Sequence, residues 1–327
     1  MKAIVCDEYG APNDVLHLLD IDQPTVGDDD VLVKVLATSV NPADWHVVRG
    51  APYIARLQLG LRKPRWRVPG CDVAGRVEAV GSNVATLGPG DEVFGSPFMR
   101  GFGAFAELVS VSQHAVEQKP ANLSFQQAAA VPLAALTALQ GLRAGGGLGA
   151  GRRVLVIGAA GGVGTFAVQI ATALGAEVTA VCSTANLDLV RSLGAAHVID
   201  YTQGDVTEGT ACYDLVLQVA GTHSPSECRR VLSPDGTLVQ ISGDADGRWI
   251  GAVTRLAHAS LLSPFVSQTL MSLTVKPAKG DLRTLKELLE AGDVAPVIDR
   301  TYQLGAVAEA LGYLEQGHAR GKVVVTV

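Results

Sequence analysis

The chain has 327 residues, 48% of them hydrophobic and 18% charged, with a formal net charge of −6. That length allows two domains, and that balance excludes a disordered chain. The negative charge argues against nucleic acid as a partner, because phosphate contacts need a basic face. The one basic cluster, Arg56, Arg62, Lys63, Arg65 and Arg67, reads either as a solvated loop or as the rim of a substrate or phosphate site. Five scattered cysteines with no C-x-x-C pair read as reduced thiols of a cytoplasmic protein. The N-terminus has no secretory pattern and no apolar run reaches spanning length, so stable membrane insertion is not expected.

Along the chain, the first 120 or so residues read as β-rich. Strands are expected from residue 31, over residues 73–80 and over residues 107–111, with Gly and Pro between them. This suggests a small barrel-like domain. Residues 126–142 carry apolar side chains at helical spacing. Strands and helices then alternate: strand 154–157, helix 163–174, strand 178–182, helix 187–193, and short strands 198–199, 215–219 and 238–241. A helix near residues 227–231 separates the last two. This is the pattern of a parallel sheet covered on both faces. Residues 249–262 read as an amphipathic helix over a pocket or an interface. Asp281 is expected to cap a helix over residues 282–291. A helix over residues 306–315 and a closing strand over residues 322–327 end the chain.

The sharpest motif runs from Val154 through Gly158, Ala159, Ala160, Gly161, Gly162 and Val163 to Gly164. It follows a buried strand and opens a helix, the setting a dinucleotide fingerprint requires. A turn without Cβ atoms lets the backbone approach a pyrophosphate, and the helix N-terminus offers free amides to the anion. Ala159 stands where the first glycine of G-x-G-x-x-G belongs. About 20 residues on, Ser183 and Thr184 follow the second strand where NAD-binding folds place a carboxylate. Hydroxyls can donate to a 2′-phosphate that a carboxylate would repel, so NADPH is the expected cofactor. Tyr201 offers a further hydroxyl, whereas Ala185 supplies no basic partner.

Taken together, VLVKVLATSVNPADW, VPGCDVAGRVEAVGSNV, GDEVFG, GAFAELVSV, AAAVPLAALTALQGL, the glycine turn, LGAAHVIDY, RRVLSPDGTLVQISG and GHARGKVVVTV resemble the medium-chain dehydrogenase/reductase superfamily. More narrowly, the chain is similar to its zinc-free quinone oxidoreductase branch. The resemblance implies an α/β protein with a GroES-like β-barrel catalytic domain over residues 1–122 and a doubly wound Rossmann domain over residues 123–265. It also implies a segment over residues 266–327 that completes the Rossmann sheet and returns to the first domain, with the active site in the cleft between. It places Thr137, Val219, Ala220, Gly221, Ser242 and Arg320 against the cofactor. Relatives often form dimers, so a homodimer is possible.

The resemblance also bears on metal. Zinc-dependent relatives carry Cys near the position of Asn41 and His–Glu near Cys71–Asp72; Asn41 is a poor ligand, and a catalytic zinc needs three converging ones. Without metal, a quinone or an α,β-unsaturated carbonyl is the expected small-molecule substrate, because hydride addition leaves a delocalised anion. Asn41, with Asp44 and Trp45 on the same wall, is the candidate for contact with the carbonyl; Asn41-Pro42-Ala43-Asp44 reads equally well as a helix start. Two other functions stay open: a zinc-free alcohol dehydrogenase, and a non-catalytic NADPH-binding protein with a structural or regulatory role.

Overall fold

The computed structural model describes residues 1–98, 101–147, 149–241 and 267–327. Ser242 and the expected helix over residues 249–262 lie outside the described residues. The chain forms two compact units: Met1–Leu136 with Lys276–Gly292 and Pro296–Val327, and Thr137–Val275 with Asp293–Ala295.

The strands in chain order are β1 (Lys2–Cys6), β2 (Leu16–Asp20), β3 (Asp30–Val40), β4 (Val73–Val80), β5 (Glu92–Gly95), β6 (Leu108–Ser112), β7 (Val116–Gln118), β8 (Arg153–Ile157), β9 (Glu177–Cys182), β10 (His197–Asp200), β11 (Tyr213–Gln218), β12 (Leu232–Gln240), β13 (Thr269–Ser272), β14 (Ile298–Gln303) and β15 (Lys322–Thr326).

The first unit contains the β1–β2 pair and a seven-stranded sheet of order β14-β15-β3-β4-β5-β7, with β6 also pairing with β3. Strand β3 is its axis. Val31, Val33 and Val35 alternate into the core as a half-buried strand should, but from Ala37 to Val40 both faces are buried. Thr38 and Ser39 are therefore polar groups inside the protein and must find partners there. The chain-closing strand β15 runs antiparallel to β3 (Val323 opposite Val40) rather than extending the parallel sheet. Its Val323 and Val325 pack with Ile4, Val40, Phe105 and Leu311.

The second unit is built on a six-stranded sheet of order β10-β9-β8-β11-β12-β13, all parallel in register. Val154, Leu155, Val156, Leu215, Val216 and Leu217 are wholly buried, as central strands covered on both faces require.

Several elements differ from the expectation. The helix expected over residues 126–142 is two helices, Phe125–Ala129 and Pro132–Ala144. Pro132 has no N–H to continue the first and suits the start of the second. The helix expected to begin after Asp281 spans Lys279–Ala291 with Ala278 as its cap. Asp281 lies in its first turn, where its charge still favours the helix dipole.

Leu155, on β8, is wholly buried among Val181, Val216 and Leu238. Leu155→Ala should lower the unfolding free energy by about 2–5 kcal/mol in chemical denaturation.

Candidate functional site

Two sets of residues carry chemistry, one in each unit. In the second unit β8 ends in Gly158, whose φ of +88° only glycine adopts freely. A Cβ there would also lie 2.8 Å from the Cβ of Ala220. The turn passes through Ala159, Ala160 and Gly161 into the helix Gly162–Ala173. A Cβ on Gly164 would come 2.1 Å from the carbonyl oxygen of Gly158, so this glycine lets the helix close on the turn. The tight-turn glycine is thus Gly158, one residue before the Ala159 position at which the fingerprint register seeks it.

The amides of Gly158 and Ala159 both donate to Val181 O, at 3.2 and 3.0 Å. Gly161 donates back to Gly158 O at 3.3 Å. The helix start leaves the amides of Gly162 and Val163 without an acceptor in their own helix, at its positive dipole end. That arrangement fits a dinucleotide pyrophosphate.

At the adenosine end, Ser183 Oγ accepts from Asn186 Nδ2 at 3.1 Å, and the Tyr201 side chain is 57% exposed. Thr184 is different from expectation. Its hydroxyl donates to Asp200 Oδ2 at 2.5 Å and lies 2.9 Å from Thr202 Oγ1. Hydrogen bonds from Thr184 and Thr202 hold the Asp200 carboxyl below the usual carboxylate range. A carboxylate is therefore present here after all, contributed by β10 rather than β9.

At the other end, Val219 and Ala220 donate to Ile157 O at 2.9 and 3.3 Å, and Gly221 has a φ of +88°. Thr137 is buried. Gln218 and Gln240, not singled out in the sequence, are buried at the carboxyl ends of β11 and β12. Gln240 Nε2 donates to Gln218 Oε1 at 2.8 Å, and Gln240 Oε1 is a buried acceptor without a partner among the described residues. An orphaned acceptor beside these strand ends suits a hydroxyl or carboxamide donor of a nicotinamide nucleoside. Their signal was two glutamines directly after the apolar runs Leu215–Leu217 and Leu238–Val239.

In the first unit the end of β3 meets the turn before β4. Asp72 is wholly buried. Its Oδ2 accepts from Ser39 Oγ at 2.5 Å, Asn41 Nδ2 at 2.8 Å and Lys322 Nζ at 3.3 Å; its Oδ1 accepts from Leu133 N at 2.7 Å. Lys322 Nζ also donates to Asn41 Oδ1 at 2.5 Å. Thr38 and Ser96 fix the turn by donating to Asp72 O and Cys71 O, each at 2.6 Å.

These contacts bear on the three candidate catalytic groups. Asn41 Nδ2 has two protons, aimed at Asp72 and, at 3.3 Å, at Ser39 O. With Oδ1 held by Lys322, the amide has no spare donor for a carbonyl. Asn41 does stand at the cap of the helix Pro42–Arg49, but there the Asp44 Oδ2 accepts from the Asn41 backbone amide at 2.8 Å. Asp44 Oδ1 accepts from Gly70 N at 3.1 Å. Burial, helped by nearby Asp72, pushes Asp44 up to about 7, against the pull of Cys71, Asn41 and Lys322. Trp45 stacks on His46, with ring centroids 3.8 Å apart, and packs on the core. Arg320 lies in the turn before β15, its backbone amide donating to Asp299 at 3.1 Å.

Residues 27–121 match the alcohol dehydrogenase GroES-like domain, and residues 193–325 match the zinc-binding dehydrogenase family. The chain is 36% identical to the mitochondrial NAD(P)H oxidoreductase RTN4IP1 of Homo sapiens, covering 100% of this chain and 89% of that protein. It is also 36% identical to the chloroplastic NADPH-dependent alkenal/one oxidoreductase of Arabidopsis thaliana, covering 99% and 79%. The quinone oxidoreductase structure from Coxiella burnetii superposes with a TM-score of 0.86 at 31% identity, covering 100% and 99%. The chain belongs to the medium-chain dehydrogenase/reductase superfamily and is quinone oxidoreductase-like, a nicotinamide-dependent oxidoreductase. No helix among the described residues is long and apolar enough to cross a membrane.

The zinc in one family's name does not fit these residues. Asn41 and Asp72 already converge on the ammonium of Lys322. Burial and the neighbouring Asp44 push the Cys71 thiol well up, so it stays protonated. Among the described residues no group of three or more His, Cys, Asp or Glu is placed to hold a metal ion.

Two outcomes follow. Lys322→Met should cost about 3–5 kcal/mol in denaturant unfolding, by leaving Asp72 buried without its cation. The double variant Lys322→Met/Asp72→Asn should cost less than the two single changes summed. For Asp44, a folded pKa raised from 3.8 to about 7 means that the folded state holds the extra proton between those values. The contribution of Asp44 to stability should therefore fall as pH rises from 3.8 to about 7, read as the difference in melting temperature between wild type and Asp44→Asn.

Proposed function

We propose that the protein reduces a quinone or an α,β-unsaturated carbonyl with NADPH, without metal. The observation that carries this reading is the Lys322 ammonium closed between Asn41 and Asp72, at 2.5 and 3.3 Å. It fills the place where Lewis-acid help to a simple carbonyl would have to be built. A conjugated acceptor needs less of that help, because its negative charge spreads over several atoms.

The bound nicotinamide supplies the hydride for the acceptor carbon. This chain's residues do the rest. Gly162 and Val163 bind the pyrophosphate through their amides, and Val219–Gly221 with Gln240 orient the nicotinamide nucleoside. Solvent supplies the proton that completes the reduction, since Asp44 and Asp72 are wholly buried. The same burial disfavours alcohol oxidation, which needs an accessible base for the hydroxyl proton.

For the cofactor, Ser183 and exposed Tyr201 favour a 2′-phosphate, and a relative at 36% identity is named as NADPH-dependent. Asp200 opposes it by charge. Five cysteines, none of them in a disulfide, support a reducing compartment such as the cytoplasm.

The test is cofactor oxidation with NADPH and with NADH across quinones, enals, enones and simple alcohols, with and without a chelator. The expected outcome is turnover of the conjugated acceptors, preference for NADPH and indifference to chelation. Turnover confined to alcohols, or lost on chelation, overturns the reading; tight NADPH binding with no turnover would favour a regulatory role. In calorimetry Asp200→Asn should raise the preference for NADPH over NADH about three- to tenfold, by removing a charge near the phosphate.

A further inference from the structure

We propose that the segment around residues 54–66 is a docking surface for anionic lipid bilayers. Its starting point is an anomaly of exposure. Leu57 and Leu61 are 73% and 69% exposed, more than any other large apolar side chain among the described residues, and Ile54 adds 40%. Clustered apolar side chains left in water mark a contact surface.

The second observation is charge. Residues 45–71 contain six Lys or Arg and no Asp or Glu, in a chain of net charge −6. Three of the six are spoken for: Arg49 pairs with Glu315, Arg67 pairs with Asp7, and Arg56 lies over the rings of Tyr9 and Tyr53 at 4.4 and 4.6 Å. Arg62, Lys63 and Arg65 are exposed and make no ion pair among the described residues. They follow directly after the leucines in the chain, and Arg65 lies over the ring of Trp66 at 5.5 Å.

The third observation is that this presentation is built. Tyr9 Oη donates to Gly60 O at 2.6 Å, Arg56 Nε donates to Gly50 O at 2.8 Å, and the Arg65 amide donates to Leu59 O at 2.6 Å. Pro64 is buried. The base of the segment is thus fixed from inside, so the leucines point outward by construction.

Leucines set among unpaired cations suit one occupant in particular. A bilayer interface takes apolar side chains into its acyl boundary and holds the cations at its anionic headgroups. Nucleic acid would use the cations and leave the leucines wet. This proposal does not rest on the reductase reading, because the test below needs neither cofactor nor substrate.

The full chain is floated with vesicles of phosphatidylcholine alone and of phosphatidylcholine with phosphatidylglycerol. Flotation with the anionic vesicles only, weakened by salt, is expected. Removing each of Arg62, Lys63 and Arg65 as Ser should lower partitioning about fivefold. Leu57→Ser/Leu61→Ser should lower it about tenfold or more. All these side chains are exposed, so unchanged melting temperatures show the variants to be folded. No flotation, equal flotation with both vesicles, or variants that float like the wild type overturns the proposal.

Discussion

The Asp72 carboxyl group sits wholly inside the protein and receives donors from four stretches of chain. Ser39 comes from the end of β3, Asn41 from the turn into the helix Pro42–Arg49, Lys322 from the first residue of β15, and Leu133 from the start of the helix Pro132–Ala144. A buried charge is tolerated only when paired and hydrogen-bonded. This one is, and the same bonds satisfy Asn41, Ser39 and a Lys322 that is only 3% exposed. No member can leave without stranding the others. The network therefore fixes where the chain's last strand lies against β3, and with it the start of the helix Pro42–Arg49.

The consequence for chemistry is a contrast between the units. Around Asp72 the donors and acceptors satisfy one another, so this cluster has little unused hydrogen-bonding capacity. The glycine turn is the opposite. Gly158 and Gly164 remove side-chain bulk, and the helix start leaves amides with no acceptor in their own helix, open to water or an anion.

Much of this was legible in the sequence because it is local. The apolar runs at Val154–Ile157 and Leu215–Leu217, with glycines immediately after the first, announce a parallel sheet and its anion-binding turn within a few dozen residues. What was not legible is either short or distant. Strands β5 and β7 have four and three residues, too few for alternation to show. Lys322 and Asp72 are 250 positions apart, and nothing in the local pattern of either marks the other as partner. Asp200 was hidden for the same reason. The expected carboxylate position after β9 holds Ser183 and Thr184, yet the register of β10 on β9 sets Asp200 opposite Cys182, beside that same turn.

Asn41 and Asp44 show how one motif can be read correctly and still mislead. Asn-Pro-Ala-Asp does start a helix, but the capping bond runs from the Asn41 amide to the Asp44 carboxyl, and this leaves the Asn41 side chain to face Lys322. The choice follows from charge. A buried ammonium must be met by oxygen, and Asn41 Oδ1 is within 2.5 Å of it, whereas a helix amide can be met by the nearby carboxyl. Two buried acids then sit in one cluster under different constraints. Asp72 is matched by a cation at 3.3 Å. Asp44 is hydrogen-bonded only by backbone amides and a thiol, and burial, helped by the Asp72 charge, outweighs the pull of Lys322 and drives it up to about 7. A carboxyl pushed up to about 7 beside Asn41 makes the stability of this part of the fold depend on pH, even though no proton need pass from it to a substrate.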